Sequence, residues 1–180
     1  MRTLKYAILG LINRQPMTGY DITREFNNNQ LANFWYAKHS QVYPELNRLT
    51  DEGLITCEII IQGEKMEKKQ YSITSKGYAE LKSWLLKDEP LEPTPKDIFR
   101  LRMYFSDQIS PEETLRQLRR QLEKHTEKKK YLTSLMDQNY PDKSPRPGTP
   151  AFGDFAVLEG AILRENAYIQ WLRNCLSRML

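Results

Sequence analysis

Residues 38–73, KHSQVYPELNRLTDEGLITCEIIIQGEKMEKKQYSI, change their hydrophobic period once, and that change decides the fold. Val42, Leu46 and Leu49 recur at i, i+4 and i+7, the spacing of one buried face of an α-helix. The helix is expected to start near Ser40 and to stop at Gly53. At about 100° per residue its opposite side carries Ser40, Pro44, Asn47, Arg48 and Asp51, with Gln41 at the edge. Pro44 is read as lying in the first turn, where its missing N–H has no intrahelical partner. From Ile55 to Gln62 the chain is β-branched and apolar, Gly63-Glu64 supplies a turn, and Lys68 to Ile73 alternates again. That is a two-stranded hairpin of ordinary strand length.

Upstream, Leu4, Ala7, Ile8 and Leu11 give a first amphipathic helix, which Gln15-Pro16-Met17 breaks. Thr18 precedes Asp21 at N-cap-to-N3 spacing, a variant capping box, and opens a second helix that ends near Asn28. Downstream, Thr74-Ser75-Lys76-Gly77 opens a fourth helix with Leu81, Trp84 and Leu85 on its inner face. Three helices and a hairpin in this order are the pattern of a winged helix-turn-helix. Helix 3 is then the reader and the hairpin a two-stranded wing.

The stiff stretch Glu89-Pro90-Leu91-Glu92-Pro93-Thr94-Pro95 sets the expected organisation: a DNA-binding domain over 1–88, a linker over 89–95 and an all-helical domain over 96–180. The fold class is mainly α. Ser110-Pro111-Glu112-Glu113 is a full capping box for a helix running to about Met136. Positions 115, 118, 122, 125, 129, 132 and 136 of that helix form one seam. A segment with Pro141, Pro145, Pro147 and Pro150 must be a loop. The last helix, about 151–179, carries a matching seam through Phe155, Leu158, Ile162, Glu165, Ile169, Leu172, Leu176 and Met179. Two such seams suit an antiparallel hairpin or a dimer interface. In a hairpin, the polar intruders His125 and Glu165 fall at the same level and would fix the register as a pair.

The 180 residues hold 27 Lys+Arg against 23 Asp+Glu, a net charge of +4, and the mean hydropathy is −0.68. A basic balance suits a polyanion without specifying one. Residues 1–90 contribute only +1 of it, so any nucleic-acid site must be a local cluster. No apolar run approaches the ~20 residues of a membrane span, and Met1-Arg2-Thr3-Leu4-Lys5 does not read as a signal peptide. Cys57 and Cys175 form no disulfide framework and read as small buried side chains; a reduced, cytoplasmic setting is expected. With only His39 and His125, neither a metal site nor a hydrolytic triad is expected, and no nucleophile, carboxylate pair or phosphate-cradling glycine loop suggests an enzyme. No cofactor is expected.

Lys38, Ser40, Gln41, Asn47 and Arg48 are donors of the kind that reach phosphates and base edges, placed at a helix N-terminus. His39 is either a DNA contact or a cap. Lys65, Lys68 and Lys69 would clamp phosphates from the wing. Tyr6, Tyr20, Phe34, Trp35, Tyr36, Tyr43 and Trp84 are dense for one domain. They serve packing or, in part, line a pocket for a small aromatic ligand where the domains join.

Four stretches resemble the PadR family of bacterial transcription regulators. They are Leu4-Lys5-Tyr6-Ala7-Ile8-Leu9-Gly10-Leu11; Thr18-Gly19-Tyr20-Asp21-Ile22; His39-Ser40-Gln41-Val42-Tyr43-Pro44-Glu45-Leu46 with Leu49-Thr50-Asp51-Glu52-Gly53-Leu54-Ile55; and Lys68-Lys69-Gln70-Tyr71-Ser72-Ile73-Thr74 with Gly77. The second domain, opening at Lys96-Asp97-Ile98-Phe99, resembles the longer subfamily. The resemblance implies a homodimer on a palindromic operator, with Ser40, Gln41 and Tyr43 of helix 3 and Lys65, Lys68 and Lys69 of the wing at the DNA. For the longer subfamily it also implies repression of a phenolic acid stress or detoxification gene, relieved by a small aromatic ligand. Where that subfamily carries an aromatic, often basic residue after Phe152-Gly153, this chain has Asp154. Two other roles stay open: an activator of the same build without a small-molecule effector, and a winged helix used for protein–protein contact.

Overall fold

The computed structural model describes residues 2–28, 30–62, 66–91, 93–142 and 145–179. The chain divides into two compact units, Met1–Pro90 and Leu91–Leu180.

The first unit runs α1 (Thr3–Arg14), β1 (Met17–Thr18), α2 (Gly19–Asn28), a 3-10 turn (Gln30–Asn33), α3 (His39–Asp51), β2 (Ile55–Gln62), β3 (Met66–Ile73) and α4 (Ser75–Leu85). Ile8, Leu9 and Ile12 of α1, Ile22 and Phe26 of α2, and Val42, Leu46 and Leu49 of α3 bury almost completely in one core. Each such side chain contributes on the order of 1.5–3 kcal/mol from burial. The reader helix ends as its sequence requires. Gly53 takes φ +68°, the N–H of Leu54 reaches the carbonyl of Leu49 at 2.9 Å, and that of Gly53 reaches Thr50 at 2.9 Å. This is the double-bonded glycine stop that also buries the next apolar side chain, here Leu54.

The expected hairpin of two strands is present with a third strand added to it, and three expectations, on Pro44, Cys57 and Leu85, need correction. The sheet has three strands, in the order β1-β3-β2. Met17 pairs with Tyr71 and Thr18 with Gln70, so the segment after Pro16 is extended chain on the open edge of β3. Two residues are too short to show a period, which hid β1 in the sequence. Pro44 is the sixth residue of α3, because the helix begins at His39. Having no N–H, it leaves the carbonyl of Ser40 without its usual helical donor. Cys57 is exposed, since it lies where the hairpin leaves the core, and Leu85 in the last turn of α4 is exposed as well.

Gly77, in the first turn of α4, lies against the end of the reader segment. A Cβ there would stand 2.0 Å from the carbonyl oxygen of Leu54. Thr74 caps the same helix, its hydroxyl accepting the N–H of Gly77 at 3.0 Å.

The second unit contains α5 (Ile98–Tyr104), a 3-10 turn (Ser106–Gln108), α6 (Pro111–Asn139) and α7 (Pro150–Ser177). α6 and α7 form an antiparallel hairpin with Leu132, Met136, Leu158 and Ala161 buried near the connection. Nδ1 of His125 lies 2.5 Å from Oε2 of Glu165, the pairing that the two seams imply. The same register sets Leu118 level with Leu172, and both are fully buried. No helix among the described residues is long and apolar enough to cross a membrane.

Candidate nucleic-acid interface

The exposed side of α3 carries Ser40, Gln41, Pro44, Asn47 and Arg48, with Lys38 and His39 exposed at its start. Lys38 is the extended N-cap residue. Its N–H donates to Oε1 of Gln41 at 2.9 Å, and its carbonyl accepts the N–H groups of Gln41 and Val42 at 2.8 and 3.2 Å. Gln41 thus turns its oxygen to the helix start, committing one of its two lone pairs there, and its NH2 group is not used by that cap. His39 is the first helical residue, and its ring leans on that of Tyr43 with centroids 4.5 Å apart. Tyr43 is half-buried and covers the start of α2 so closely that a Cβ on Gly19 would stand 2.8 Å from the ring. The start of the reader is therefore braced from two sides.

An ion cluster lies behind the reader, centred on Glu45, to which the sequence analysis gave no role. The Glu45 side chain is 7% exposed and pairs with Arg2 at 2.7 Å. Arg48 approaches Glu45 at 3.7 Å, so the charge of Arg48 is partly answered within the unit. Arg2 also bonds Glu52, and that bond holds the Glu52 carboxyl below its ordinary range. An acid three residues from an apolar position, with an arginine free to fold back from the N-terminus, was the available signal. Beside α1, Glu80 takes Lys5 at 2.7 Å and the hydroxyl of Tyr6 at 3.0 Å. Tyr6 in turn stacks on Trp84, centroids 4.6 Å apart. With Tyr43, three of the seven clustered aromatics are thus packing. Tyr20, Phe34, Trp35 and Tyr36 stay exposed on their unit.

On the wing, Lys68 pairs with Ile60 and Lys69 with Ile59. Neighbouring strand residues point to opposite faces, so Lys69 shares the face of Tyr71 while Lys68 shares that of Gln70. The two lysines straddle the ribbon. Lys65 lies outside the described residues. Burial pushes the Tyr71 hydroxyl up. Among the described residues no group of three metal-ligating side chains occurs.

In the second unit, His125 stacks on Tyr168, centroids 4.0 Å apart, and the Tyr168 hydroxyl donates to Asp97 at 2.7 Å. Asp97 also caps α5, accepting the N–H of Arg100 at 3.0 Å. Burial raises the Asp97 carboxyl, but the N–H groups of Arg100 and Phe99 with the Tyr168 hydroxyl outweigh it and leave the group below its ordinary value. Burial, and then the bond to Asp97, push the Tyr168 hydroxyl well above its usual range.

Similarity to known proteins agrees with this architecture. The pattern of the PadR-like transcriptional regulator family matches residues 8–83, and that of the virulence activator alpha C-terminal region matches residues 95–179. The chain is 43% identical over 178 residues to the negative transcriptional regulator PadR of Bacillus subtilis (strain 168), covering 98% of this chain and 97% of that protein. The crystal structure of Bacillus subtilis PadR in complex with operator DNA matches with a TM-score of 0.94 at 42% identity, over 99% of this chain and 100% of the other. That of the same protein in complex with p-coumaric acid matches with a TM-score of 0.87 at 39% identity, over 99% of each chain. The chain belongs to the PadR-like family of transcriptional regulators.

Proposed function

We propose that this chain is a cytoplasmic, homodimeric repressor that binds a palindromic operator through α3 and the wing. A small aromatic acid, of the phenolic class, lifts its repression of a stress or detoxification gene. The observation that carries the reading is the reader helix itself: a braced, exposed face of donors behind which the apolar side and Glu45 are buried. The near full-length likeness to a repressor solved both with operator DNA and with p-coumaric acid supports it. In this reading Lys38, His39, Ser40, Gln41, Tyr43 and Asn47 face the major groove or its phosphates, and Lys65, Lys68 and Lys69 approach the backbone. Residues 1–88 are the DNA-binding domain, 89–95 the linker and 96–180 the dimerisation and effector domain. A ligand relieves repression only by binding the DNA-incompetent state more tightly than the competent one.

The test is a gel shift with the DNA upstream of the chain's own gene, titrated with salt and then with p-coumarate. A retarded band that weakens steeply with salt and disappears with p-coumarate is expected. Absent or salt-insensitive binding would overturn the DNA reading in favour of a protein-interaction module. A band indifferent to every hydroxycinnamate would favour the second reading, an activator without an effector, to which the match of residues 95–179 also points.

A further inference from the structure

We infer that Gln41 reads its base as a donor only, and that the base is guanine, met through its O6 and N7 acceptors. This rests on the proposed function. A glutamine in the major groove has two ways to act: it can donate and accept at once, the bidentate match to adenine N6 and N7, or it can donate alone. The choice turns on where its oxygen is held, since an amide oxygen with one bond keeps a second lone pair but no longer turns freely toward a base. Here Oε1 already accepts the N–H of Lys38 at 2.9 Å. A backbone N–H can only donate, so the group facing it has to be the oxygen and the amide orientation is settled by chemistry.

The rest of the chain shows what that position requires for capping alone. At the start of α2, Asp21 occupies the same N3 position and accepts the N–H of Thr18 at 3.3 Å. At the start of α6, Glu113 does so for Ser110 at 3.3 Å. Both are acids, which also favour a helix N-terminus through the dipole, although Gln fills the same capping position. Among these three capping boxes of the described residues, the one at the reader uses an amide. Its acceptor does what the acids do, without bringing a negative charge to a phosphate row, and its NH2 group is surplus to the helix. The oxygen is also hard to release. Pro44 has already removed the N–H that would have bonded Ser40, so the start of α3 has one rung fewer and depends more on this cap. An NH2 group with two hydrogens, presented alone, matches the paired acceptors of guanine.

The experiment first selects preferred sites for the full-length protein from a random palindromic DNA pool, and repeats the selection with Gln41→Ala and Gln41→Glu. Glutamate keeps the cap and removes the donor. Gln41→Glu should melt at or above the wild-type temperature and Gln41→Ala below it, while both lose preference at the same half-site position, where wild type selects guanine. Replacing that guanine by 7-deazaguanine should weaken wild type roughly tenfold to a hundredfold and leave Gln41→Glu little changed. Selection of adenine there, with binding weakened when its N6 amino group is removed, would overturn the inference, because Gln41 would then have given up the cap. Unchanged base preference in Gln41→Glu would overturn it too. If wild type selects no sequence at all, the proposed function falls, and this inference with it.

Discussion

At the scale of single residues, the first unit depends on contacts that tolerate no addition and on charges that tolerate no removal. Gly77→Ala would place a methyl group against the Leu54 carbonyl. Because the obstacle is backbone, relief requires moving the end of α3 or the start of α4, and a loss of about 2 kcal/mol or more is expected in urea unfolding. An unchanged midpoint would mean the two segments do not meet so closely. Arg2→Ala removes the main partner of buried Glu45. A loss of about 1–2 kcal/mol is expected, less than for a fully buried pair because Arg2 is partly solvated. The pH dependence has a definite sign. The folded Glu52 carboxyl titrates below its free value of 4.5, so its pairing adds stability above that pH and loses it as pH falls. The gap between wild type and Arg2→Ala should therefore narrow in acid; a gap constant from pH 7 to 3 would exclude the pairing.

At the scale of elements, the periodic parts were legible and the non-periodic parts were not. The faces of α3, α6 and α7 followed from spacing, because burying a stripe constrains every third or fourth residue. The pair His125 and Glu165 could be placed from two seams alone, since an antiparallel hairpin leaves one register in which both seams bury. β1 could not be read, nor could the Asp97–Tyr168 bond that ties the cap of α5 to α7, because two residues and one long-range bond leave no repeat. The donors of α3 are legible as a set, yet the bond that turns the Gln41 oxygen to the N-cap is set by the helix starting at His39, one residue before the expected Ser40. Tyr168 offers a test. Its free phenol titrates at 10.0 and the folded one higher, so its contribution is complete below pH 10 and is lost as pH rises beyond. Tyr168→Phe should lower the melting temperature at pH 7–9, and the difference should shrink above pH 10. Equal melting at neutral pH would show that the bond contributes nothing.

At the scale of the whole molecule, the net charge of +4 says little about where DNA would lie, because the charge is answered locally. Glu45 engages both Arg2 and Arg48, and the wing alternates acids with lysines. A dimer on an operator should set its two readers about one helical turn, ~34 Å, apart. Lys69→Ala should weaken binding about evenly over all sequences and reduce the slope of log affinity against log salt by about one. A slope that does not move would take Lys69 out of the contact.

The short strand β1 bears on control. Thr18 belongs at once to the ladder of β3 and to the cap of α2, and Tyr43 of the reader rests on the residue that follows. Reader, supporting helix and wing base thus share one set of contacts. A signal that tried to spoil a single half-site grip would have to break that ladder. One that leaves each grip intact would have to act by changing how far apart two of them stand.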